Sequence, residues 1–554
     1  MNLTLLWLSL AFAGTGDPVL DVATAELARA VSALADQDEP PYYLGYELVD
    51  RHTLRVQATH GALGVQSDRR LRTADVDVRV GSHELDNTHK IRDAGWFSDV
   101  DHSRVLLPLE GDPRATSLAL WRETDEAWQG AVRRLKQVRG NASVKVARED
   151  TSHDWSATEP TVALEPLRDV TLDQDAWAHV LKAVSGVMLA HPHVLDSSAE
   201  VSAVAETFRF TSSEGTRLRW SRVSYRVSLW GRTVAPDGME LSVDDYVVAA
   251  SVHGLPTQDE LTARMHAVAA RLAALRDAPL MEPYSGPAIL KGRAAGVFFH
   301  EVLGHRVEGH RQKDEDEGQT FTDMVDQRIL PPFLSVVDDP TLAQLEGTDL
   351  AGHYPYDNEG VPAQRVDVVR DGVLEGFLMS RAPIQGSSVS NGHGRRSAGN
   401  TVVARQGNLM VQASETVSAD ALRAALLAQV TAQGKPYGLI VEDITGGFTL
   451  TGRVVPNSFN VRPVAMWRVY PDGRPDELVR GGDLIGTPLT TFSRVSLAGG
   501  ETQVFNGVCG AESGWVPVSA SSPSLLISEL EVQRKEKQHD RPPLLPPPAL
   551  AETP

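Results

Sequence analysis

The stretch Ala288-Ile289-Leu290-Lys291-Gly292-Arg293-Ala294-Ala295-Gly296-Val297-Phe298-Phe299-His300-Glu301-Val302-Leu303-Gly304-His305 organises this chain. Its first three residues read as a short strand. The rest reads as a helix that carries two imidazoles and a carboxylate at its end. The only cysteine, Cys509, lies far downstream. Two histidines, an adjacent glutamate and one soft thiolate are the parts of a catalytic zinc site: three N/S ligands, an open fourth position and a base. On this reading zinc polarises a peptide carbonyl and acidifies its water, and Glu301 moves the proton to the leaving amine.

The spacing poses a geometric problem. Residues five apart on an ideal α-helix point about 140° from each other, against about 40° for residues four apart. Pairing His300 with His305 therefore predicts a wider turn, a π-bulge, which Gly304 would permit. Without it, Glu301 and His305 share a face, and the site becomes a carboxylate-histidine pair with Glu308 one turn on. His310 is a rival third ligand. Otherwise Glu308 and His310 read as a solvated helix end, and Cys509 as a small buried hydrophobe.

Around this stretch the chain reads as α+β. Apolar spacing predicts helices over 19–34, 117–138, 174–189 and 257–275, the last with Leu261, Met265, Val268, Leu272 and Leu275 on one face. Leu54–Ala58 and Val76–Val80 alternate like half-buried strands. Val201–Phe210 and Leu218–Leu229 form a hairpin around Ser213-Glu214-Gly215, and a further strand reaches Val248. Pro279–Pro287 is rich in breakers and divides an N-terminal α+β domain, 15–278, from a second domain, 279–533. There Val366–Val369 and Val373–Leu378 flank the turn pair Asp371-Gly372. Residues 419–430 are the one clear later helix. From 534 to 554 the chain is charged and then proline-rich, an extended or disordered tail.

Composition narrows the partners. With 53 basic and 73 acidic residues the net charge is −20, so no basic surplus exists for binding nucleic-acid phosphates. A single cysteine forms no internal disulfide. Residues 1–14 hold a short apolar run closing on Ala11-Phe12-Ala13, the pattern of a cleaved signal peptide, though no Lys or Arg precedes it. The expectation is export to a periplasm or medium, with a cytoplasmic protein as the alternative. No other run has the apolar length of a membrane span.

The segment from Tyr284-Ser285-Gly286-Pro287 through His305 resembles the core of the TldD/PmbA family of metallopeptidases, also called modulators of DNA gyrase. Further matches follow in order: Tyr356-Asp357-Asn358-Glu359-Gly360-Val361-Pro362, Asp371–Leu378 with Ser380-Arg381, Asn391-Gly392-His393-Gly394-Arg395-Arg396, and Phe505-Asn506-Gly507-Val508-Cys509-Gly510. The resemblance runs from about 283 to 530. It implies a two-domain subunit whose C-terminal half is built of curved antiparallel sheets. It also implies a zinc peptidase with metal on His300, His305 and Cys509 and Glu301 as base, since the family's inactive paralogue lacks the His-Glu motif. Family members form dimers, so a homodimer or a heterodimer with a paralogue is implied, acting on unfolded peptides held as an added strand. The leader and the N-terminal half, including Pro40–Leu44 and Leu85–Thr88, depart from the family pattern. Two other functions compete: a non-catalytic peptide-binding or assembly subunit, and a metal-dependent amidase or esterase.

Overall fold

The computed structural model of the chain describes residues 15–91, 104–142, 150–314, 316–449, 451–452 and 459–535. The expected leader, 1–14, and the proline-rich tail beyond 535 lie outside these residues.

The N-terminal half runs α1 (Pro18–Leu34), β1 (Pro41–Thr59), β2 (Ala62–Val80), β3 (Arg104–Leu107), α2 (Pro113–Ala142), β4 (Val162–Leu164), α3 (Gln174–Gly186), β5 (Asp196–Ser212), β6 (Arg217–Val234), β7 (Glu240–Ala249) and α4 (Gln258–Asp277). Among the described residues its strands make one seven-stranded sheet in the order β3-β2-β1-β5-β6, with β4 and β7 both on β6. All pairings are antiparallel except β4 with β6. The helices start where the sequence supplies caps: Asp17 accepts from Val19 and Leu20, and Thr257 and Glu260 close a capping box on α4.

The strands β1 and β2 are each 19 residues long, much longer than the short alternating segments legible in the sequence. Their alternation sorts the two faces. Leu44, Tyr46, Leu48 and Val56 pack in apolar cores with the helices. Glu47, Val49 and Arg51 point the other way, into a cavity.

The C-terminal half runs β8 (Tyr284–Leu290), α5 (Gly292–Val302), α6 (His310–Lys313), β9 (Leu334–Asp338), β10 (Gln344–Leu345), β11 (Thr348–Asp349), β12 (Val366–Arg370), β13 (Val373–Leu374), β14 (Gly394–Arg395) and β15 (Val403–Ala404). It continues through β16 (Asn408–Ala413), α7 (Ala419–Ala432), β17 (Gly438–Thr449), β18 (Phe459–Val469), β19 (Glu477–Val479), β20 (Gly482–Gly486), α8 (Pro488–Ser493), β21 (Val495–Ala511) and β22 (Gly514–Arg534). The strand β8 begins inside the stretch read as a break, and β22 carries its pairing to Arg534, where the tail was expected to begin. The turn between β12 and β13 has Asp371 at φ 48° and Gly372 at φ 82°, as a tight Asp-Gly hairpin requires.

Pairings in the large sheet return on themselves. The strand β22 bonds β20, β20 bonds β18, β18 bonds β17, β17 bonds β8, and β8 bonds β22 again. This closed ring shares one apolar core with α5. Phe298 packs edge-on against Phe459 and Phe492, with centroids 5.3 and 6.1 Å away. Two small residues let α5 lie directly on β22: a Cβ at Gly292 would sit 2.5 Å from the Ser522 oxygen, and one at Gly296 3.0 Å from that of Ala520.

Ion pairs, each with a buried arginine, join the halves. Arg381 grips Glu214 through two bonds of 2.7 Å, and Arg396 holds Glu47 at 2.9 Å. Breaking such a pair strands a charge, so these contacts fix one arrangement of the halves.

Candidate metal centre

The helix α5 ends at Val302. Leu303 leaves it at φ −101°, and Gly304–Val307 wind into a 3-10 turn. This corrects the expected π-bulge: the helix axis breaks, and the break swings His305 back toward His300. The rings stand 5.1 Å apart between centroids, at 73°. Gly304 has no positive φ among the described residues. Its role is close approach, because a Cβ there would lie 1.8 Å from Oε1 of Gln406.

Strand β21 brings Cys509 to the same point. Its Sγ is 3.3 Å from Nε2 of His305, across 204 residues of sequence. One ligand atom from each of His300, His305 and Cys509 lies within 4.8 Å of the others, and all three residues are buried. A tetrahedral zinc with bonds of about 2.0–2.3 Å sets its ligand atoms roughly 3.3–3.7 Å apart. The donor set fits such an ion in spacing and in chemistry. His300 supports the fit from another direction: its Nδ1 is buried with no hydrogen-bond partner among the described residues.

Charge is arranged to match. Burial pushes the Cys509 thiol up, but the imidazoles of His305 and His300 outweigh it and hold the group well below its ordinary value. Burial lowers His305, while Cys509 and Glu308 raise it well above the usual imidazole range. His300 also ends raised, burial being overcome chiefly by Cys509. A thiolate beside imidazoles is the state from which a divalent cation displaces protons.

Glu308 is fully buried, contrary to its reading as a solvated helix end. Its Oε2 stands 3.1 Å from Nδ1 of His305 and accepts from Nε of Arg311 at 3.0 Å, and its Oε1 is 3.3 Å from Nε of Arg405. Burial raises this carboxyl, but His305, Arg311 and Arg405 together hold it far below the carboxylate range. Glu308 engages Nδ1 of His305, which leaves Nε2 as the ring nitrogen that faces Cys509 and would serve a metal once its proton is displaced.

The other predicted residues fall into place around this. Glu301 lies at the edge of the donor set, its Oε2 4.0 Å from Nε2 of His305. His310 turns away to pair with Glu512 and is not part of the cluster. The residues that sequence reasoning missed are Arg405, Gln406 and Arg311. Arg405 is fully buried and donates to the carbonyl of Cys509 at 2.9 Å and to Oγ of Ser513 at 2.7 Å. Gln406 donates to the carbonyl of His300 at 3.3 Å. Nothing in their residue types distinguishes them from the chain's many exposed arginines and glutamines.

Known proteins resemble the chain in sequence and in fold. The PmbA/TldA metallopeptidase C-terminal domain matches residues 283–534. A protein of Haemophilus influenzae named a metalloprotease TldD homolog is 25% identical over 416 residues, which cover 71% of this chain and 80% of that one. A metalloprotease of Methanothermobacter thermautotrophicus is 27% identical over 357 residues, 63% of this chain and 71% of its own. In fold, the crystal structure of TldE from Thermococcus kodakarensis superposes with a TM-score of 0.58 over 92% of this chain and all of its own (100%), at 12% identity. Residues 283–534 therefore match the PmbA/TldA metallopeptidase C-terminal domain, the relatives named metalloproteases extend the likeness beyond it, and the chain shares the fold of TldE.

Proposed function

We propose that the chain is a zinc-dependent peptidase of unfolded or extended peptides, with His300, His305 and Cys509 as ligands and Glu301 as general base. The observation that carries this is the convergence of two imidazoles and one thiol, buried and charge-matched, beside a carboxylate. Zinc bound there supplies Lewis acidity, which stabilises charge at a scissile carbonyl and makes water reactive at neutral pH.

The chain's own groups do the rest. Glu301 accepts a proton from the attacking water and delivers it to the leaving amine as the C–N bond breaks. Glu308 keeps His305 in one tautomer and one orientation. Arg405 ties Glu308 to the backbone of Cys509, so the helix-borne and strand-borne ligands keep their spacing.

The extended-peptide reading is supported by β21, which pairs with β22 on one side and with no strand on the other among the described residues. An edge of this kind accepts a peptide through backbone hydrogen bonds. The partner of the subunit is a second copy or a paralogue, and residues 1–14 direct export. N-terminal sequencing of protein from its host tests the export, which an intact Met1 in the cytoplasmic fraction refutes.

The test of function is metal analysis joined to a digest of an unfolded polypeptide with and without chelator. Stoichiometric zinc and chelator-sensitive cleavage are expected, with a folded protein spared. Bound zinc without cleavage would leave the peptide-binding subunit as the function.

A further inference from the structure

The helix-free face of the N-terminal sheet is one wall of a cavity of about 1140 Å³. The opposite wall comes from residues 343–358, 395–398 and the β21–β22 hairpin. Val508 lines it, while the next residue, Cys509, belongs to the metal centre on the other face of the strand. Nothing in the proposed hydrolysis uses this space.

Its lining runs against the character of the chain. In a protein of net charge −20, seven arginines and no lysine meet five carboxylates there among the described residues. Three of the arginines are already matched: Arg51 and Arg222 share Glu206, and Arg396 takes Glu47. Arg104, Arg168, Arg226 and Arg395 have no carboxylate within ion-pair distance among the described residues. Arg226 lies 4.1 Å over the Tyr246 ring and bonds Oγ of Ser228.

Arg395 is the most telling. It is 4% exposed, and its guanidinium donates to the carbonyls of Gln406 and Pro517 and stacks 4.6 Å from the Tyr354 ring. Burial pulls it down to about 10. Its hydrogen bonds go to neutral acceptors and the charge of Asp338 acts on it only through space, without outweighing burial, so an anion in direct contact would be favourable. Beside these charges the wall is aromatic: Phe208 and Trp220 stack at 4.2 Å, and Trp515 is 68% exposed.

We propose that this cavity is a second peptide site, which takes an extended acidic segment, its carboxylates on Arg395 and Arg226 and its apolar side chains on Phe208, Trp220 and Trp515. The free arginines come from β3, β6, β14 and the segment after β4. They are spread along the walls as a chain bearing several carboxylates needs, and are not gathered at a helix terminus as for one phosphate. The volume is above the usual range for a small-molecule pocket, about 300–1,000 Å³. The proposal does not depend on hydrolysis.

The test is calorimetric titration of the full chain carrying Glu301→Gln, so that peptides stay whole. The probes are a short capped peptide of alternating glutamate and leucine and its glutamine counterpart, each titrated with zinc loaded and after chelation. The acidic peptide should bind roughly tenfold or more tightly, as one or two charge-assisted bonds provide. Arg395→Gln and, independently, the less buried Arg226→Gln should shrink that preference. It should survive chelation. Equal binding of the two peptides overturns the proposal, as does an undiminished preference in folded Arg226→Gln protein. A preference lost on chelation assigns the peptide to the metal centre, and one erased by equimolar inorganic phosphate assigns the arginines to phosphate. Either result also overturns it.

Discussion

Replacing Glu308 by glutamine keeps shape and an acceptor oxygen but removes the negative charge that braces the metal centre. Three cationic groups surround that charge: His305 at 3.1 Å, Arg311 at 3.0 Å and Arg405 at 3.3 Å. Truncating one partner of a buried ion pair typically costs about 3–5 kcal/mol. The low end applies here, because Arg311 keeps Glu317 at 2.7 Å and Glu512 at 2.9 Å, and Arg405 keeps three neutral acceptors. Loss of the carboxylate behind a ligating histidine weakens metal binding about 10–100-fold, roughly 1.4–2.7 kcal/mol. Zinc competition against a chromophoric chelator measures the second effect, and urea unfolding of the chelated protein measures the first. A Glu308→Gln protein with wild-type zinc affinity would refute the argument that Glu308 orients His305. Weakened zinc binding with unchanged apo stability would instead refute the buried-network estimate.

The remaining predictions concern turnover and pH. Glu301→Gln should retain zinc and fold but lose about a hundredfold to ten-thousandfold in rate, measured on an unfolded substrate; wild-type turnover would remove Glu301 as base. Glu359 is buried beside Asp357, and burial raises its carboxyl to about 7. Its folded state therefore holds a proton that the unfolded state releases near 4.5, so this group's contribution is full below about pH 4.5 and is lost as pH rises through 7. Glu359→Gln should flatten that part of the stability profile, and an unchanged slope in chemical unfolding between those pH values would disprove the assignment.

Much of this was legible in the chain, and the misses have physical reasons. The apolar face of α4, with Leu261, Met265 and Val268 buried, follows from period alone. The Asp371-Gly372 turn follows from backbone sterics. The full length of β1 and β2 does not, because their cavity face mixes Glu47, Arg51 and Thr73 with apolar residues and blurs the alternation. The π-bulge was a local solution to the spacing of His300 and His305. The fold used a tertiary one, ending α5 where Gln406 packs against Gly304. Glu308 looked solvated because its partners Arg311 and Arg405 reach it partly from outside its own turn, and a buried charge is legible only when its counter-charges are known. His300, Glu301 and His305 stand out among 17 histidines and 73 acidic residues only by their spacing in one short stretch, and Cys509 stands out as the single cysteine.

X-ray absorption at the zinc edge of the purified, unaltered protein tests the ligand set most directly. One sulfur at about 2.3 Å and two imidazole nitrogens at about 2.0 Å are expected, with the sulfur shell absent from Cys509→Ser protein. A shell of nitrogen and oxygen alone in the unaltered protein would contradict the ligand set and with it the proposed mechanism.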